Sequence, residues 1–156
     1  MFMKSLLYSA VISGALLTGC ASVPMESIKY SNVAKSFKSP APEMSGIYVY
    51  RKDTIVGAAL KKDVWIDNEC IGESSKGTFF YHEVEGDKEH TISTEAEFSP
   101  NDLVVNTEKG KLYFIEQYIK FGVFVGGAGL KQTSTEEGKK EVSKINLAIK
   151  GKCSAS

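Results

Sequence analysis

The run Ile47-Tyr48-Val49-Tyr50 decides the fold class, because consecutive β-branched and aromatic residues favour a strand. Turn-forming pairs such as Asp67-Asn68 and Gly86-Asp87 separate the runs that follow it. We place the further strands at residues 59–66, 69–74, 78–84, 88–94, 103–107 and 112–119. Short strands at this spacing predict a mainly β domain, either an antiparallel β-sandwich or an open barrel.

One short helix is predicted near the C-terminus. Ser134 and Glu137 have the spacing of a capping box, and Val142, Ile145 and Ile149 lie near one helical face. The apolar residues after Ile145 also alternate as they would in a strand. We therefore predict a helix through about Lys144 and leave the segment after it open between helix and strand.

The N-terminus has the pattern of a secretory signal peptide, which we assign to residues 1–19. Residues 6–17 are mostly apolar, but a spanning helix needs roughly 18 to 20 such residues. Leu17-Thr18-Gly19-Cys20 resembles the lipobox of bacterial lipoproteins, which implies cleavage before Cys20 and acylation of that cysteine. The alternative is an ordinary signal peptide with Cys20 unmodified.

Neither Ala21 nor Ser22 is the aspartate that retains lipoproteins in the inner membrane in the enterobacterial sorting pattern. The sequence therefore predicts a lipid anchor in the bacterial outer membrane, with the domain facing the periplasm. Residues 20–45, rich in proline and serine, are predicted to be the lipidated cysteine and a tether; a flexible chain of that length spans roughly 25 to 30 Å. Val33 and Phe37 could form one helical turn docked on the domain, which we place at residues 46–153.

Several segments of that domain resemble a bacterial envelope family, domain of unknown function 2846. The resemblance covers about residues 46–150 and rests on Tyr48-Val49-Tyr50-Arg51, Val64-Trp65-Ile66-Asp67, residues 76–81, His90-Thr91-Ile92-Ser93-Thr94 and Tyr113-Phe114-Ile115. It implies a mostly β domain, often carried by a lipoprotein, and it implies no catalytic residues.

The charge balance gives no sign of a nucleic-acid partner. The full chain has 19 Lys and Arg against 19 Asp and Glu, and removal of residues 1–19 takes away only Lys4. A near-neutral mature domain has no basic excess to bind phosphate backbones. We predict no cofactor, a membrane attachment through the N-terminal lipid, and an unidentified envelope protein or polymer as partner.

Three cysteines occur in the chain, and acylation of Cys20 would leave Cys70 and Cys153 as an even pair in an oxidising compartment. We predict a disulfide between them; the alternative is two separate thiols. Neither lies in a Cys-x-x-Cys spacing, so redox catalysis and a zinc site are poorly supported.

His82 and His90 are the two histidines of the chain. A three-residue loop at residues 85–87 would place them opposite each other on paired strands, while Glu83 and Glu89 would point to the other face. We therefore predict no metal site and a structural or surface role for both histidines.

Sequence patterns of common hydrolases, such as a Gly-x-Ser-x-Gly elbow, are missing from the chain. We predict a non-enzymatic binding or structural module of the cell envelope. The rival hypotheses are a divergent envelope hydrolase that uses carboxylates and a purely structural spacer. Two acidic side chains that converge in a concave site would favour the hydrolase.

The segment from Ile119 to Leu130 combines glycines with apolar residues and carries one charge, Lys120. Glycines weaken a strand and often mark a bulge, so we expect them to interrupt the ladder after Phe121. Either the segment is a buried, bulged strand, or its side chains form an exposed patch. The second reading makes a candidate contact surface of Phe121, Val123, Phe124 and Val125.

Overall fold

The computed structural model describes residues 21–96, 101–122 and 126–154. Within these residues the elements are, in chain order, α1 (Ile28–Ala34), β1 (Met44–Arg51), β2 (Lys62–Ile66), β3 (Glu69–Ser74), β4 (Thr78–Glu85), β5 (Glu89–Thr94), β6 (Asn101–Asn106), β7 (Leu112–Lys120), β8 (Gly127–Thr133), α2 (Thr135–Val142) and β9 (Asn146–Leu147). No helix in the described parts is long and apolar enough to cross a membrane.

The strands form two sheets that pack as a sandwich, which confirms the predicted mainly β fold. One sheet has five strands in the order β8-β7-β1-β4-β9, and the other has four in the order β3-β2-β5-β6. The four-stranded sheet is antiparallel, but β1 pairs with β7 and β4 pairs with β9 in parallel. The parallel pairs arise because the chain leaves the larger sheet to build the smaller one and then returns.

The predicted turn at Asp67-Asn68 shows how the local sequence sets the register. Both residues have positive φ, 50° and 65°, and Ile66 is opposite Glu69 across the two-residue loop. This is the conformation of a type I′ hairpin turn, whose twist matches that of the flanking strands. Asn and Asp tolerate positive φ better than most residues, so this pair selects the turn.

The core between the sheets is aliphatic. Alternate residues of both sheets point inwards, including Ile47 and Ile115 from the larger sheet and Val64 and Ile92 from the smaller one, all 0% exposed. The opposite face of the larger sheet is aromatic, with Tyr48, Tyr50, Phe79 and Phe114 as its buried members. The two helices cover this second face, so the molecule has three layers.

Residues 20–45 were predicted to be a lipidated cysteine and a tether, and for the described part of that range the tether prediction is wrong. Val23 is buried in the core, α1 begins after the N-cap Ser27, and Ser31 is 0% exposed. Phe37 packs edge-on against Tyr48 at 5.6 Å, but it lies after the end of α1 with φ 50°, and Val33 is 57% exposed, so these two residues do not form the predicted docked turn. Proline and serine suggested a linker, but a few apolar side chains fill specific gaps on the domain.

The C-terminal segment combines the two alternatives that the sequence left open. The Ser134 side chain accepts a hydrogen bond from the Glu137 backbone N–H and caps α2, which ends at Val142 rather than near Lys144. The chain then turns and Asn146–Leu147 forms the short strand β9 beside β4. Val142 and Ile145 both pack under this turn on the aromatic face.

The predicted pairing of the two histidines is wrong. His82 lies on β4 and His90 on β5, and these consecutive strands belong to different sheets. The turn residue Asp87 has φ 58°, but the connection crosses from one sheet to the other instead of closing a hairpin. Loop length alone therefore did not determine pairing; the alternation of apolar residues fits either arrangement.

The ladder ends within one residue of the predicted position. β7 ends at Lys120 and β8 begins at Gly127, which is opposite Lys120, and Tyr118 is opposite Gly129. Gly129 lies within a regular strand. The position requires glycine, because a Cβ there would be 2.6 Å from the Tyr118 ring. The glycine makes room for a cross-strand aromatic ring and does not mark a bulge.

Candidate functional site

The most exposed apolar side chains at one end of the sandwich come from two neighbouring connections. Ile55 and Val56 in the β1–β2 loop are 90% and 47% exposed, and Phe121 after β7 is 94% exposed. We call Ile55, Val56 and Phe121 the apolar tip. Side chains this large and this exposed are typical of contact surfaces when they cluster.

The β1–β2 loop is fixed against the end of β7 by close packing. Gly57 has φ 68°, and a Cβ at that position would be 2.4 Å from Cγ1 of Ile119. Both the backbone conformation and the contact require glycine. Ile55 and Val56 are thereby carried to the same end of the sheet as Phe121.

A buried arginine closes the same loop from inside. Arg51 is 3% exposed, and its guanidinium donates hydrogen bonds to the carbonyl oxygens of Gly57 and, at 2.8 Å, Leu60. Burial lowers the pKa of Arg51. A guanidinium has several donors in one plane and can hold two carbonyls at once, so this side chain acts as a clamp on the loop.

A second polar group supports the tip from the aromatic face of the larger sheet. The buried carboxylate of Glu116 forms ion pairs with Lys52 at 3.1 Å and Lys131 at 3.2 Å, and Lys52 also reaches Glu137 on α2 at 3.4 Å. Burial lowers the pKa of Lys52, but the hydrogen bond and the charge of Glu116 outweigh this effect, so the pKa is raised overall. The base of the β1–β2 loop, β7, β8 and α2 are joined in this way.

A third polar group lies between the sheets. The Gln117 side-chain amide donates to Thr94 Oγ1 at 2.7 Å and to the Asp63 carbonyl at 3.3 Å, and it accepts from the Ser74 hydroxyl. All four residues are buried. Satisfied buried networks of this kind rigidify and specify a core. This network therefore fixes β7, the strand that leads to Phe121.

Of the four predicted contact residues, the structure describes Phe121 and shows it exposed, as expected for a contact surface. Val123, Phe124 and Val125 lie outside the described residues. The sequence reasoning missed Ile55, Val56 and the clamp residue Arg51. The sequence signal for the loop was the apolar pair Ile55-Val56, which lies between the polar residues Asp53 and Thr54 and the glycine Gly57.

The two histidines hold structural contacts. His90 is buried, with Nδ1 2.6 Å from Asp67 Oδ2 and Nε2 2.8 Å from the Glu85 carbonyl oxygen. Burial raises the pKa of Asp67, but the hydrogen bonds from His90 and from the Thr91 backbone lower it further. This contact fixes the β2–β3 turn to β5, in agreement with the structural role predicted for His90.

His82 is bonded to the C-terminal segment, since its Nδ1 lies 2.8 Å from Lys150 Nζ. Burial, followed by the charge of Lys150, lowers the pKa of His82, and burial likewise lowers that of Lys150. Among the described residues no group of three or more His, Cys, Asp or Glu side chains is arranged to hold a metal ion.

The predicted cysteine pair is brought together. Cys70 on β3 and Cys153 in the tail form a disulfide with a Cα–Cα distance of 5.9 Å across a sequence separation of 83. The Gly151 N–H also donates to the Ile71 carbonyl at 3.0 Å. The tail is therefore fixed along β3.

A shallow cleft of about 320 Å³ lies between α1 and the aromatic face. Its floor includes Tyr48 and Tyr81, whose ring centroids are 4.7 Å apart. Glu83 lines the cleft and accepts a hydrogen bond from the Tyr81 hydroxyl at 2.8 Å. Burial and the neighbouring Glu83 raise the pKa of Tyr48 to about 12 and that of Tyr81 still further.

Comparisons with other proteins define the family. A family model described as a protein of unknown function, DUF2846, matches residues 41–128. An uncharacterized protein of Haemophilus influenzae is 55% identical over 150 residues, which cover 95% of this chain and 88% of the relative. No solved structure matches significantly. The family match runs from the residues before β1 into β8 and includes the whole apolar tip, and we conclude that this chain belongs to the DUF2846 family.

Proposed function

We propose that this chain is a lipid-anchored, non-enzymatic binding module of the bacterial cell envelope, and that the apolar tip is its contact surface for a protein. The exposure of Phe121 and Ile55, 94% and 90%, carries the proposal. A protein partner fits the chemistry better than a polar envelope polymer, because bulky apolar side chains gain most when another apolar surface removes them from water.

The support beneath the tip favours a built surface over an accidental exposure. The Arg51 clamp fixes the loop that carries Ile55, and the Glu116 ion pairs fix the strand that leads to Phe121. A contact residue held in place before binding loses less conformational entropy on association. We therefore expect the tip to be presented to the partner without rearrangement.

The anchor part of the proposal rests on the lipobox-like Leu17-Thr18-Gly19-Cys20. The disulfide between Cys70 and Cys153 supports an oxidising compartment, where such bonds persist. We place the protein in the outer membrane, facing the periplasm. The Cys20→Ser variant should remain an uncleaved precursor and be released from membranes, and intact mass of the wild type should include acyl chains.

The hydrolase hypothesis requires carboxylates that are free to work together. One concave region, of about 430 Å³, is lined by acidic residues at the β4–β5 connection. Three of them are already engaged: Asp67 with His90, Glu83 with the Tyr81 hydroxyl and Glu85 with Lys88. These contacts support the non-enzymatic proposal.

Site-specific crosslinking in the native membrane tests the contact surface. A photoreactive residue at position 121 should give one dominant crosslinked protein, and the same residue at position 104 should not. Val104, on β6 of the smaller sheet, is the matched control because it is apolar and 50% exposed but does not belong to the tip. Equal crosslinking from both positions, or none from position 121, would contradict the proposal.

A further inference from the structure

The first described residues pair with the C-terminal segment and extend the larger sheet beyond β9. The Ile149 N–H donates to the Pro24 carbonyl and the Glu26 N–H donates to the Leu147 carbonyl, both at 2.9 Å, and Met25 bridges Ala148. Val23 is 7% exposed and packs in the core between the sheets. Val23 is therefore already part of the folded domain.

Only Ala21 and Ser22 separate Cys20 from this folded edge. The Cα of an acylated Cys20 would lie at most about 10 Å from that of Val23, because an extended chain spans roughly 3.3 to 3.6 Å per residue. A flexible segment through residue 44 would have given roughly 25 to 30 Å. The segment between Cys20 and Val23 is too short to hold the domain away from the headgroups of the bilayer.

The surface beside this short segment has the composition of a membrane contact. Met25 and Ile149 are 39% and 43% exposed. Lys150 and Lys152 follow Ile149 in the chain and are exposed, although Lys150 Nζ is bonded to His82, so Lys152 carries the free cation among these described residues. We call these four residues the anchor exit patch. Apolar side chains interspersed with lysines are typical of surfaces that rest at a lipid interface, where anionic headgroups attract the cations.

We infer that the domain rests directly on the lipid surface through the anchor exit patch, with the apolar tip held away from that membrane. This inference depends on the proposed acylation of Cys20. It makes lipid the binding partner of the anchor exit patch. The partner of the tip must then be a protein in the periplasm and not one within the anchoring bilayer.

The strand registers give the separation between the two surfaces. Glu116, Tyr50, Phe79 and Leu147 lie at one level across the sheet, and Glu26 is hydrogen-bonded at the same level. Phe121 lies five residues beyond this level and Ser22 four residues before it, which is about 30 Å along the strands. Four strand spacings add about 19 Å across the sheet. Phe121 is therefore roughly 35 Å from Ser22 and, because Met25 lies only one residue before the common level, roughly 28 Å from Met25.

Fluorescence quenching by the membrane tests this arrangement. The lipidated full-length protein is labelled through Met25→Cys or Phe121→Cys, with the native disulfide kept oxidised, and placed in phospholipid vesicles that carry nitroxide headgroups. We expect the label at position 25 to lose most of its fluorescence and the label at position 121 to lose little. Equal quenching, or stronger quenching at position 121, would overturn the inference.

Two controls separate the causes. A flexible glycine-serine linker inserted between Ser22 and Val23 should reduce quenching at position 25 towards that at position 121, because it restores the missing tether. Lys152→Glu should lower quenching at position 25, whereas Lys140→Glu, an exposed lysine on α2, should not. If neither the linker nor Lys152→Glu has an effect, the patch does not contact lipid.

The intact mass distinguishes the two proposals. If the protein carries no acyl chains, the proposed anchor is absent and the proposed function is contradicted. A protein with acyl chains but equal quenching at the two positions retains the anchor and contradicts only the resting orientation.

Discussion

The aromatic face of the larger sheet and the apolar tip are both apolar surfaces of the same domain, yet only the first is covered. On the aromatic face, Phe79 and Phe114 are 0% and 1% exposed under α2 and the turn that contains Ile145. At the tip, Ile55 and Phe121 are 90% and 94% exposed, although Arg51 holds the loop that carries Ile55 through the carbonyls of Gly57 and Leu60. The chain thus covers one apolar surface and rigidly presents another.

This contrast separates two uses of apolar residues. Burial under the helices contributes to the stability of the fold, at about 25 cal/mol for each Å² removed from water. Exposure at the tip contributes nothing to stability, and we propose that it serves a contact. The comparison therefore predicts that substitutions on the two surfaces differ in kind, with large effects on unfolding at the first and effects on binding alone at the second.

The largest effect should come from truncating the covered face. Phe79→Ala removes a fully buried ring that packs against Tyr48, and we expect a loss of about 3 to 5 kcal/mol in the free energy of unfolding. Urea denaturation followed by fluorescence measures it. Ile55→Ala, with a 90% exposed side chain, is the control and should stay within about 0.5 kcal/mol of the wild type.

The disulfide should have the next largest effect. Replacing Cys70 and Cys153 together by serine releases the tail from β3, and we expect a loss of about 2 to 4 kcal/mol. Hydrogen exchange should quicken at Ile149 and Gly151, whose amides bond to Pro24 and Ile71. Unchanged exchange at those amides would show that the tail is held without the disulfide.

The clamp at the tip should have a smaller effect on stability and a larger one on binding. Arg51→Met leaves the carbonyls of Gly57 and Leu60 without their donor, which costs about 1 to 3 kcal/mol. Partner capture should weaken although Ile55 and Phe121 are unchanged, because the loop is no longer fixed. Full retention of capture would mean that the tip binds without support from Arg51.

The smallest effect concerns pH. Burial and Lys150 lower the folded-state pKa of His82, so its contribution to stability is complete above the unfolded value of about 6.5 and is lost as the pH falls through the folded value. We expect the melting temperature to fall below pH 6.5, and to fall less in His82→Gln. Parallel curves for the two proteins would rule out His82 as the cause.

The sequence predicts the strands well where turn chemistry and alternation agree. The strand Glu69–Ser74, the turn at Asp67-Asn68 and the Ser134 cap follow from local rules that depend on few residues. The cysteine pair follows from counting and compartment. In each case one local constraint is sufficient, and the rest of the fold is not needed to predict it.

The failures concern contacts between distant segments. Nothing in the composition near Val23 indicates that this side chain packs in a core built from residues far along the chain. Contact of Phe37 with the domain was predicted through a helical turn that the chain does not form. The pairing of His82 with His90 failed because a short connection can cross between sheets as well as close a hairpin. At the candidate site, Phe121 was named from the sequence as a candidate contact residue and is exposed, but the Arg51 clamp depends on a loop conformation that no local pattern specifies.

The most direct test of the contrast is a charge placed at the tip, with stability and binding measured on the same protein. Phe121→Asp should leave the melting temperature unchanged, because a 94% exposed side chain has no packing to lose, and should abolish capture of the protein that crosslinks at position 121. A fall of several degrees in the melting temperature, or capture equal to that of the wild type, would contradict the account.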